Sequence, residues 1–270
     1  MVEHKSPRLR HRMPRVYAAR LCQKPWQSRQ QPLPTRVENT HITTKMKDFQ
    51  IELQTTADGS TTLYRPDMDE HYHSVKGALT ESQHIFIDCG LRHLAKDSLR
   101  VLEIGFGTGL NALLSALQSD IRQHYHTLEL YPLSKEIIDS TDYHKAVDNP
   151  QAPTLFAAIH AAEWNKAVQI TPSFTLEKTE CDYTDPATRF PQGIDVVYFD
   201  AFAPEKQPEM WAEEPLRRIF DAMNPGGVLT TYCAKGEIRR RLQSIGFVVE
   251  RLAGPPGGKR EILRATKPQL

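Results

Sequence analysis

Cysteine is scarce in this 270-residue sequence, and long apolar runs are missing from it. The four cysteines are far apart and form no C-x-x-C pair, which argues against a disulfide framework or a zinc site. No apolar run approaches the roughly 18 residues that a membrane-spanning helix needs. We therefore expect a metal-free protein of the reducing cytoplasm with no membrane partner. Because no dimerisation segment is evident, we expect a monomer.

Charge is unevenly distributed, although the formal net charge is only +1. Residues 1–45 carry ten Lys/Arg and two Glu, a local net charge of +8, which leaves −7 for residues 46–270. Within that acidic body, residues 235–264 hold eight Lys/Arg against three Glu. A basic patch on an otherwise acidic protein favours an anionic partner that binds at that patch.

Composition divides the chain into two regions. Residues 1–45 are basic, dotted with proline and without sustained periodicity, so we predict a disordered leader. Three interpretations of it stay open: an upstream start codon with Met46 as the functional start, a flexible nucleic-acid-binding arm, and an organelle transit peptide. Residues 46–270 are predicted to form the structured domain.

Predicted strands alternate with predicted helices from residue 49 onward. Two alternating runs flank Asp58-Gly59, which is typical of a β-hairpin. Seven further strands are predicted near 98–105, 124–130, 173–180, 194–200, 227–233, 246–252 and 260–265. Helices are predicted near 75–91, 110–118, 133–147, 151–167, 209–222 and 235–244. This alternation predicts an α/β, Rossmann-like fold, in which helices cover a mostly parallel seven-stranded sheet with an antiparallel edge strand.

A glycine-rich turn lies between the strand and the helix of VLEIGFGTGLNALL (101–114). Glycine lets the backbone turn sharply and approach a ligand, and the following helix N-terminus presents free N–H groups. Gly105, Gly107 and Gly109 have the spacing G-x-G-x-G, which differs from the dinucleotide pattern G-x-G-x-x-G. Glu103 adds a carboxylate, which suits the cationic sulfonium and amine of S-adenosylmethionine better than a pyrophosphate. The turn favours an S-adenosylmethionine site, and a plain tight βα turn stays open.

Three acidic residues follow later strands, where ligands bind in doubly wound sheets. Glu129 comes 20 residues after Gly109 and is placed to accept hydrogen bonds from ribose hydroxyls. Asp182 stands where an adenine amine could bind. Asp200 should face both cofactor and acceptor, and it is the predicted catalytic residue because it could orient an acceptor amine or relay its proton. Each has a structural alternative. Glu129 could be a solvated acid at a strand end, Asp182 a turn-forming residue and Asp200 a capping residue.

An apolar loop follows Asp200 in VVYFDAFAPEKQPEMW (196–211). Phe202, Pro204 and Trp211, with Met210, would form the walls of a slot suited to a flat base, and ordinary core packing is the alternative.

The basic segment 235–264 supplies candidate contacts to phosphates. These candidates are Lys235, Lys259 and Arg260. The consecutive residues 239–241 are all Arg and spread over about 200° of a helix, so they cannot all face one partner.

Several stretches resemble the methyltransferase of the MnmC family. They are EIGFGTGLN, VVYFDAFAPEKQPEMW, NPGGVLTTYCAKGEIRRRLQSIGF and RLAGPPGGKREILRA, with ADGSTTLY and DEHYHSVKGALTESQHIFIDCGL upstream. The resemblance covers about residues 46–265. It implies a class I methyltransferase fold and methyl transfer from S-adenosylmethionine to 5-aminomethyl-2-thiouridine at the tRNA wobble position, giving the 5-methylaminomethyl product.

The same resemblance implies roles for individual residues. Around the cofactor it places Glu103, Gly105, Gly107, Glu129, Asp182 and Asp200. Asp200 would also meet the acceptor amine, and Tyr72 and Glu81 would close over the site. Bifunctional members continue into a flavin-dependent oxidase domain, whereas this sequence stops at residue 270, so we expect the stand-alone form without FAD.

The expected partner is therefore the anticodon loop of a tRNA, whose phosphates the basic segment would contact. Three other functions stay open. They are a methyltransferase acting on a small-molecule amine, a nicotinamide-dependent oxidoreductase and a non-catalytic RNA-binding module.

Overall fold

A small antiparallel sheet begins the part of the chain that the computed structural model describes, residues 44–46 and 49–269. Its strands, in spatial order, are β1 (Thr44–Met46), β2 (Phe49–Thr55), β3 (Thr61–Arg65) and β4 (Glu70–His71). The predicted hairpin is the β2–β3 pair, and Asp58 Oδ1 fixes its turn by accepting hydrogen bonds from Thr56 Oγ1 at 2.7 Å and Ser60 Oγ at 2.5 Å. The predicted leader lies outside the described residues, except for Thr44 and Lys45 at the start of β1.

Helices and strands then alternate to the end of the chain. After the small sheet come α1 (Ala78–Ser82), a π-helical turn (Gln83–Asp88) and a 3₁₀ turn (Leu91–Leu94). The strands are β5 (Ser98–Ile104), β6 (Arg122–Glu129), β7 (Ala167–Thr171), β8 (Phe174–Glu180), β9 (Ile194–Phe199), β10 (Met223–Thr231), β11 (Val248–Ala253) and β12 (Glu261–Thr266). The helices are α2 (Leu110–Ala116), α3 (Lys135–Ser140), α4 (Tyr143–Ala146), α5 (Ala152–Ala161), α6 (Glu213–Ala222) and α7 (Gly236–Ile245), with a 3₁₀ turn at Pro208–Trp211.

These eight strands form one sheet in the order β11-β12-β10-β9-β5-β6-β8-β7. The five strands from β10 to β8 run parallel, whereas β12 is antiparallel to β10 and β11, and β7 is antiparallel to β8. The sequence predicts seven strands, whereas the sheet has eight. The additional strand is β7, whose first residue falls in the helix predicted over 151–167. The chain turns at Asn165, where φ is +60°, and then pairs with β8.

Both faces of this sheet are buried, which explains the apolar run over residues 196–199 of β9. On one face, Val196 and Tyr198 pack with α2, α5 and the π-helical turn. On the other face, Val197 and Phe199 pack with α6 and α7. Alternate residues of one strand therefore belong to two cores.

The centre of the sheet is the point where its strand order reverses. From β5 the chain continues through α2 to β6 on one side, while from β9 it continues through α6 to β10 on the other. Ligands of open α/β sheets bind in the crevice outside the carboxyl ends of the strands at this point. Among the described residues, no helix is long and apolar enough to cross a membrane, and no group of three or more His, Cys, Asp or Glu is arranged to hold a metal ion.

Candidate active site

The glycine-rich turn joins β5 to α2 and packs directly on the end of β9. Gly105 has a φ of +91°, and a Cβ at this position would lie 2.9 Å from the carbonyl oxygen of Asp200. A side chain here would require both a strained backbone and a displacement of the neighbouring segment. Gly109, with a φ of +74°, is the residue before α2. The close approach at Gly105 therefore places Asp200 beside the turn.

Glu129, at the end of β6, is held against the same turn. Its Oε2 accepts a hydrogen bond from the Gly107 N–H at 3.0 Å, and its Oε1 accepts one from the Tyr131 N–H at 2.9 Å. A carboxylate has about four acceptor positions, so both oxygens keep a lone pair for a ligand. The half-buried carboxylate is thus oriented at the mouth of the crevice and suits ribose hydroxyls.

Asp182 lies next to Glu129 and forms a local turn. The Cys181 N–H donates to the Glu129 carbonyl oxygen at 3.1 Å, which brings the end of β8 beside the end of β6. Asp182 Oδ1 accepts hydrogen bonds from the backbone N–H and the hydroxyl of Thr184, both at 2.7 Å. Asp182 therefore forms a local turn, which is the structural role considered as the alternative in the sequence analysis. It does so at the position where a contact with adenine is predicted.

Asp200 is the first residue after β9. Its N–H donates to the Ile104 carbonyl oxygen at 3.1 Å, and its Oδ2 accepts a hydrogen bond from Asn111 Nδ2 at 2.9 Å. Burial raises the pKa of Asp200 to about 7, against the opposing effect of the Asn111 hydrogen bond. The negative charge of Glu81 raises this pKa further, and the positive charge of Lys259 lowers it. A group whose pKa is near 7 can both accept and release a proton at neutral pH.

Glu103 lies within β5 and has no exposed surface. Burial raises its pKa to about 8 against the opposing effect of a hydrogen bond from Thr127, and the charge of Asp200 raises it further. The side chains of Thr127, Tyr125 and Asn111 face this carboxyl group. A protonated carboxyl group is a donor as well as an acceptor, so a neutral Glu103 fits this buried polar surrounding.

Tyr72 and Glu81, from the upstream segment, both contact the site. The Tyr72 ring meets the Phe202 ring edge-on, with centroids 5.2 Å apart, and its Cδ1 would lie 3.2 Å from a Cβ on Gly107. Glu81 is buried, and its Oε1 is 3.7 Å from Lys259 Nζ. Tyr72 therefore lies over the glycine-rich turn, and Glu81 lies beside Lys259.

The apolar loop after Asp200 is anchored by Trp211. The Trp211 side chain is only 1% exposed, packs on Phe199 with ring centroids 4.7 Å apart, and donates from Nε1 to the Phe202 carbonyl oxygen at 2.7 Å. Pro204 is buried as well. Phe202 is half-buried and faces Tyr72, so it is the member of the predicted slot that the structure places beside the glycine-rich turn.

Known methyltransferases are similar to this chain in sequence. Residues 153–268 match a family described as S-adenosyl-L-methionine-dependent methyltransferase. A tRNA 5-methylaminomethyl-2-thiouridine biosynthesis bifunctional protein, MnmC, of Actinobacillus pleuropneumoniae serotype 5b is 32% identical over 227 residues, which are 74% of this chain and 33% of that protein. The MnmC protein of Cupriavidus necator is 28% identical over 222 residues, covering 76% of this chain and 33% of that protein.

The chain is thus similar in sequence to the MnmC proteins over about three quarters of its own length. The resemblance predicted from the sequence motifs is thereby confirmed, and the matched family agrees with S-adenosylmethionine as the cofactor. The chain spans about a third of the length of these curated relatives.

Solved structures agree on the fold. MNMC2 from Aquifex aeolicus superposes with a TM-score of 0.64 at 24% identity, covering 83% of this chain and 74% of that one. A spermidine synthase from Thermotoga maritima gives a TM-score of 0.53 at 15% identity, covering 86% and 73% of the two chains. The predicted Rossmann-like methyltransferase fold is confirmed, with eight strands in its sheet instead of seven.

The residues predicted to contact phosphates lie in different surroundings. Lys235 is ion-paired with Glu205, and Arg260 is exposed. Arg241, from the arginine run, donates to the Trp211 carbonyl oxygen and so faces inward. Lys259 also turns inward, and its Nζ lies 3.6 Å from the centroid of the Tyr232 ring.

Two residues of the site were missed at the sequence level. Asn111 positions Asp200, and its signal is a single amide in the first turn of a helix that is apolar apart from Ser115 and is buried throughout. The Tyr232 hydroxyl donates to the Ala201 carbonyl oxygen at 2.8 Å, which orients the ring toward the site. Tyr232 follows the apolar strand β10, where nothing in the sequence distinguishes it from a core aromatic residue.

Proposed function

We propose that this chain transfers a methyl group from S-adenosylmethionine to the amine of 5-aminomethyl-2-thiouridine at the tRNA wobble position. The product would be 5-methylaminomethyl-2-thiouridine. The observation that carries the proposal is Asp200, a carboxyl group with a pKa near 7 that lies against the glycine-rich turn at the switch point of the sheet. The substrate is the one that the names of the MnmC relatives point to.

The residues at the crevice fit S-adenosylmethionine. Gly105 and Gly107 leave the backbone of the turn open to a ligand, and Glu129 presents a fixed carboxylate where a ribose would lie. Asp182 stands next to it for the adenine. When bound, this cofactor supplies an electrophilic methyl group on a positively charged sulfur.

Asp200 would prepare the acceptor. An alkylammonium has no lone pair, so it must lose a proton before it can accept a methyl group. Asn111 engages Oδ2 of Asp200, and Oδ1 is then the oxygen for the amine. An ammonium beside Asp200 would favour the carboxylate form, which can take the proton and pass it to solvent. The neutral amine gains the methyl group and leaves as a secondary ammonium.

Tyr72 and Phe202 would hold the base. A wobble uridine lies in a single-stranded loop and can be splayed out, stacked on aromatic side chains and read at its edges. These two rings are half-buried and meet beside the glycine-rich turn. Trp211, which holds the Phe202 carbonyl, would act on the base only through the position of Phe202.

The exposed cations of residues 235–264 would bind tRNA phosphates. Lys235, Arg240 and Arg260 are exposed in this segment. Contacts of this kind make affinity depend on salt concentration. The anticodon loop as the bound region, a monomeric state and a cytoplasmic location belong to the same proposal.

The test is methyl transfer from labelled S-adenosylmethionine to tRNA that carries 5-aminomethyl-2-thiouridine, beside tRNA with unmodified uridine at that position. Digestion to nucleosides locates the label. Label on the wobble nucleoside of the first tRNA alone supports the proposal. Label on neither tRNA contradicts it, and label on small amines would then favour a small-molecule methyltransferase.

Asp200→Asn keeps the shape of the side chain and removes the base. We expect turnover to fall by about 10² or more while cofactor binding persists. Asp139→Asn is the matched control, because Asp139 is an exposed carboxylate paired with Lys135 outside the site. Full activity of Asp200→Asn would remove Asp200 from the chemistry.

A further inference from the structure

The ammonium group of Lys259 is enclosed by three groups that attract cations. Its Nζ lies 3.7 Å from Glu81 Oε1 and 3.6 Å from the centroid of the Tyr232 ring. The third group is the carboxyl of Asp200, the residue before Ala201, whose carbonyl oxygen accepts a hydrogen bond from the Tyr232 hydroxyl. The charges of Lys259 and Glu81 act in opposite directions on its pKa. Two carboxyl groups and an aromatic face are a strong combination for an ammonium ion.

Each of the three groups is held in place without help from Lys259. The Ser74 N–H donates to Glu81 Oε2 at 3.0 Å, and this leaves buried Oε1 without a hydrogen-bond donor among the described residues. The Tyr232 hydroxyl is bonded to the Ala201 carbonyl, and Asp200 Oδ2 is bonded to Asn111. The cation subsite, defined by Glu81, Asp200 and Tyr232, is therefore preorganised.

Lys259 reaches this subsite from a surface loop between β11 and β12. The Gly254 N–H donates to the Arg260 carbonyl oxygen at 2.9 Å and closes the base of the loop. The Lys259 side chain is still 43% exposed, which leaves its stem a path to solvent. A lysine side chain is a flexible chain that ends in a point charge. It can leave the subsite without any change in the base of the loop.

We propose that the cation subsite receives the ammonium of the methyl acceptor, and that Lys259 is an internal cation that the acceptor displaces. The proposal rests on the proposed function, since it takes the acceptor to be an amine. A lysine side chain and an aminomethyl group end in the same chemical group, a primary alkylammonium. Two such cations repel each other in one subsite, so one must leave. An acceptor without the positive charge would not displace Lys259.

The first experiment measures whether an amine displaces Lys259. The wild-type chain is given a short pulse of acetic anhydride, and mass spectrometry reports acetylation of Lys259 relative to Lys166, an exposed lysine that is also paired with a glutamate. The nucleoside 5-aminomethyluridine should raise this ratio several-fold, whereas uridine should leave it unchanged. An unchanged ratio with 5-aminomethyluridine would overturn the proposal.

The second experiment removes the internal cation. In Lys259→Met the subsite is always vacant, so KM for the nucleoside 5-aminomethyluridine should fall by about five-fold or more, because no competing occupant has to leave. Lys166→Met, the matched control, should retain the wild-type KM, and Lys259→Arg, which keeps a cation in the subsite, should not lower it. A KM that is unchanged or higher in Lys259→Met would assign Lys259 a structural or substrate-binding role instead.

The two experiments separate this proposal from the proposed function. If the wild-type chain methylates no amine, the proposed function fails. The acetylation ratio, measured with 5-aminomethyluridine and with methylammonium as probes, still decides whether the subsite exchanges cations. Unchanged S-adenosylmethionine binding by Lys259→Met shows that the variant is folded.

Discussion

Replacing Asn111 by Leu tests how the structure sets the pKa of Asp200, the proposed base. Asn111 donates from Nδ2 to Asp200 Oδ2 at 2.9 Å and lies in α2, all of whose residues are buried. Leu has the same branched shape and the same number of heavy atoms, so the packing of the helix is largely kept. What is lost is the donor that stabilises the carboxylate form of Asp200 and holds its pKa down to about 7 against the effect of burial.

The size of the effect follows from the strength of that hydrogen bond. A hydrogen bond to a charged group contributes about 1.5–3 kcal/mol. Its loss penalises only the charged form, and each pKa unit corresponds to about 1.4 kcal/mol. Activity is lost at low pH because a protonated Asp200 cannot take the amine proton. The pH midpoint of this loss should therefore rise by about one to two pH units.

The assay is kcat/KM for methyl transfer, measured from pH 6 to pH 9 for the wild-type chain, Asn111→Leu and Ser115→Ala. Ser115 is a buried polar residue of the same helix whose hydroxyl bonds to Tyr198 and not to Asp200. Only Asn111→Leu should shift this midpoint, and its activity should recover at high pH. An unshifted midpoint with uniformly lower activity would refute the argument, because Asn111 would then have only a packing role.

Three further predictions concern binding and stability. Gly105→Ala should destabilise the fold by about 1–3 kcal/mol and weaken S-adenosylmethionine binding in calorimetry, because its Cβ would meet the Asp200 carbonyl at a φ of +91°; wild-type affinity would contradict this. Between pH 4.5 and about 8 the native state keeps a proton on Glu103 that the unfolded state releases, so the free energy of unfolding should fall as pH rises, by up to about 1.4 kcal/mol per pH unit. Glu103→Gln should flatten that slope in urea titrations at pH 5 to 8, and an equal slope would be against it. Arg260→Gln should weaken tRNA binding and reduce the slope of log K against log salt by about 1, while Lys166→Gln should leave the slope as it is.

The elements of the site that are local in sequence could be predicted from it. The carboxyl ends of parallel strands meet at one edge of a sheet, so the acids that follow β6 and β9 converge once the alternation of strands and helices is recognised. In the structure, Glu129 and Asp200 both contact the glycine-rich turn, and their roles stay predictions. Strand β7 could not be recognised in the same way, because it has only five residues, and the alternation of Val168 and Ile170 with their neighbours is too short to separate it from the helix predicted before it.

The elements that depend on contacts distant in sequence could not be predicted. An apolar residue such as Trp211 could equally line a ligand-binding slot or belong to the core. Only its packing against α6 and α7 shows that it is a core residue. Lys259 and Glu81 are 178 residues apart, and their ion pair depends on how the loop after β11 approaches the upstream segment. Charge counting assigned Lys259 to phosphates, whereas the structure turns its ammonium toward Glu81 and Tyr232.

The raised pKa of Asp200 and the internal cation are two consequences of one arrangement. A carboxyl group buried at the end of β9 is costly to ionise, and the negative charge of Glu81 adds to that cost. A cation in the subsite offsets it, and Lys259 supplies that cation when no substrate is bound. If the acceptor ammonium replaces Lys259 and then gives its proton to Asp200, the subsite loses its positive charge as the carboxylate loses its negative one. The proton transfer that creates the nucleophile therefore neutralises both partners, which is the direction that a site of low polarity favours.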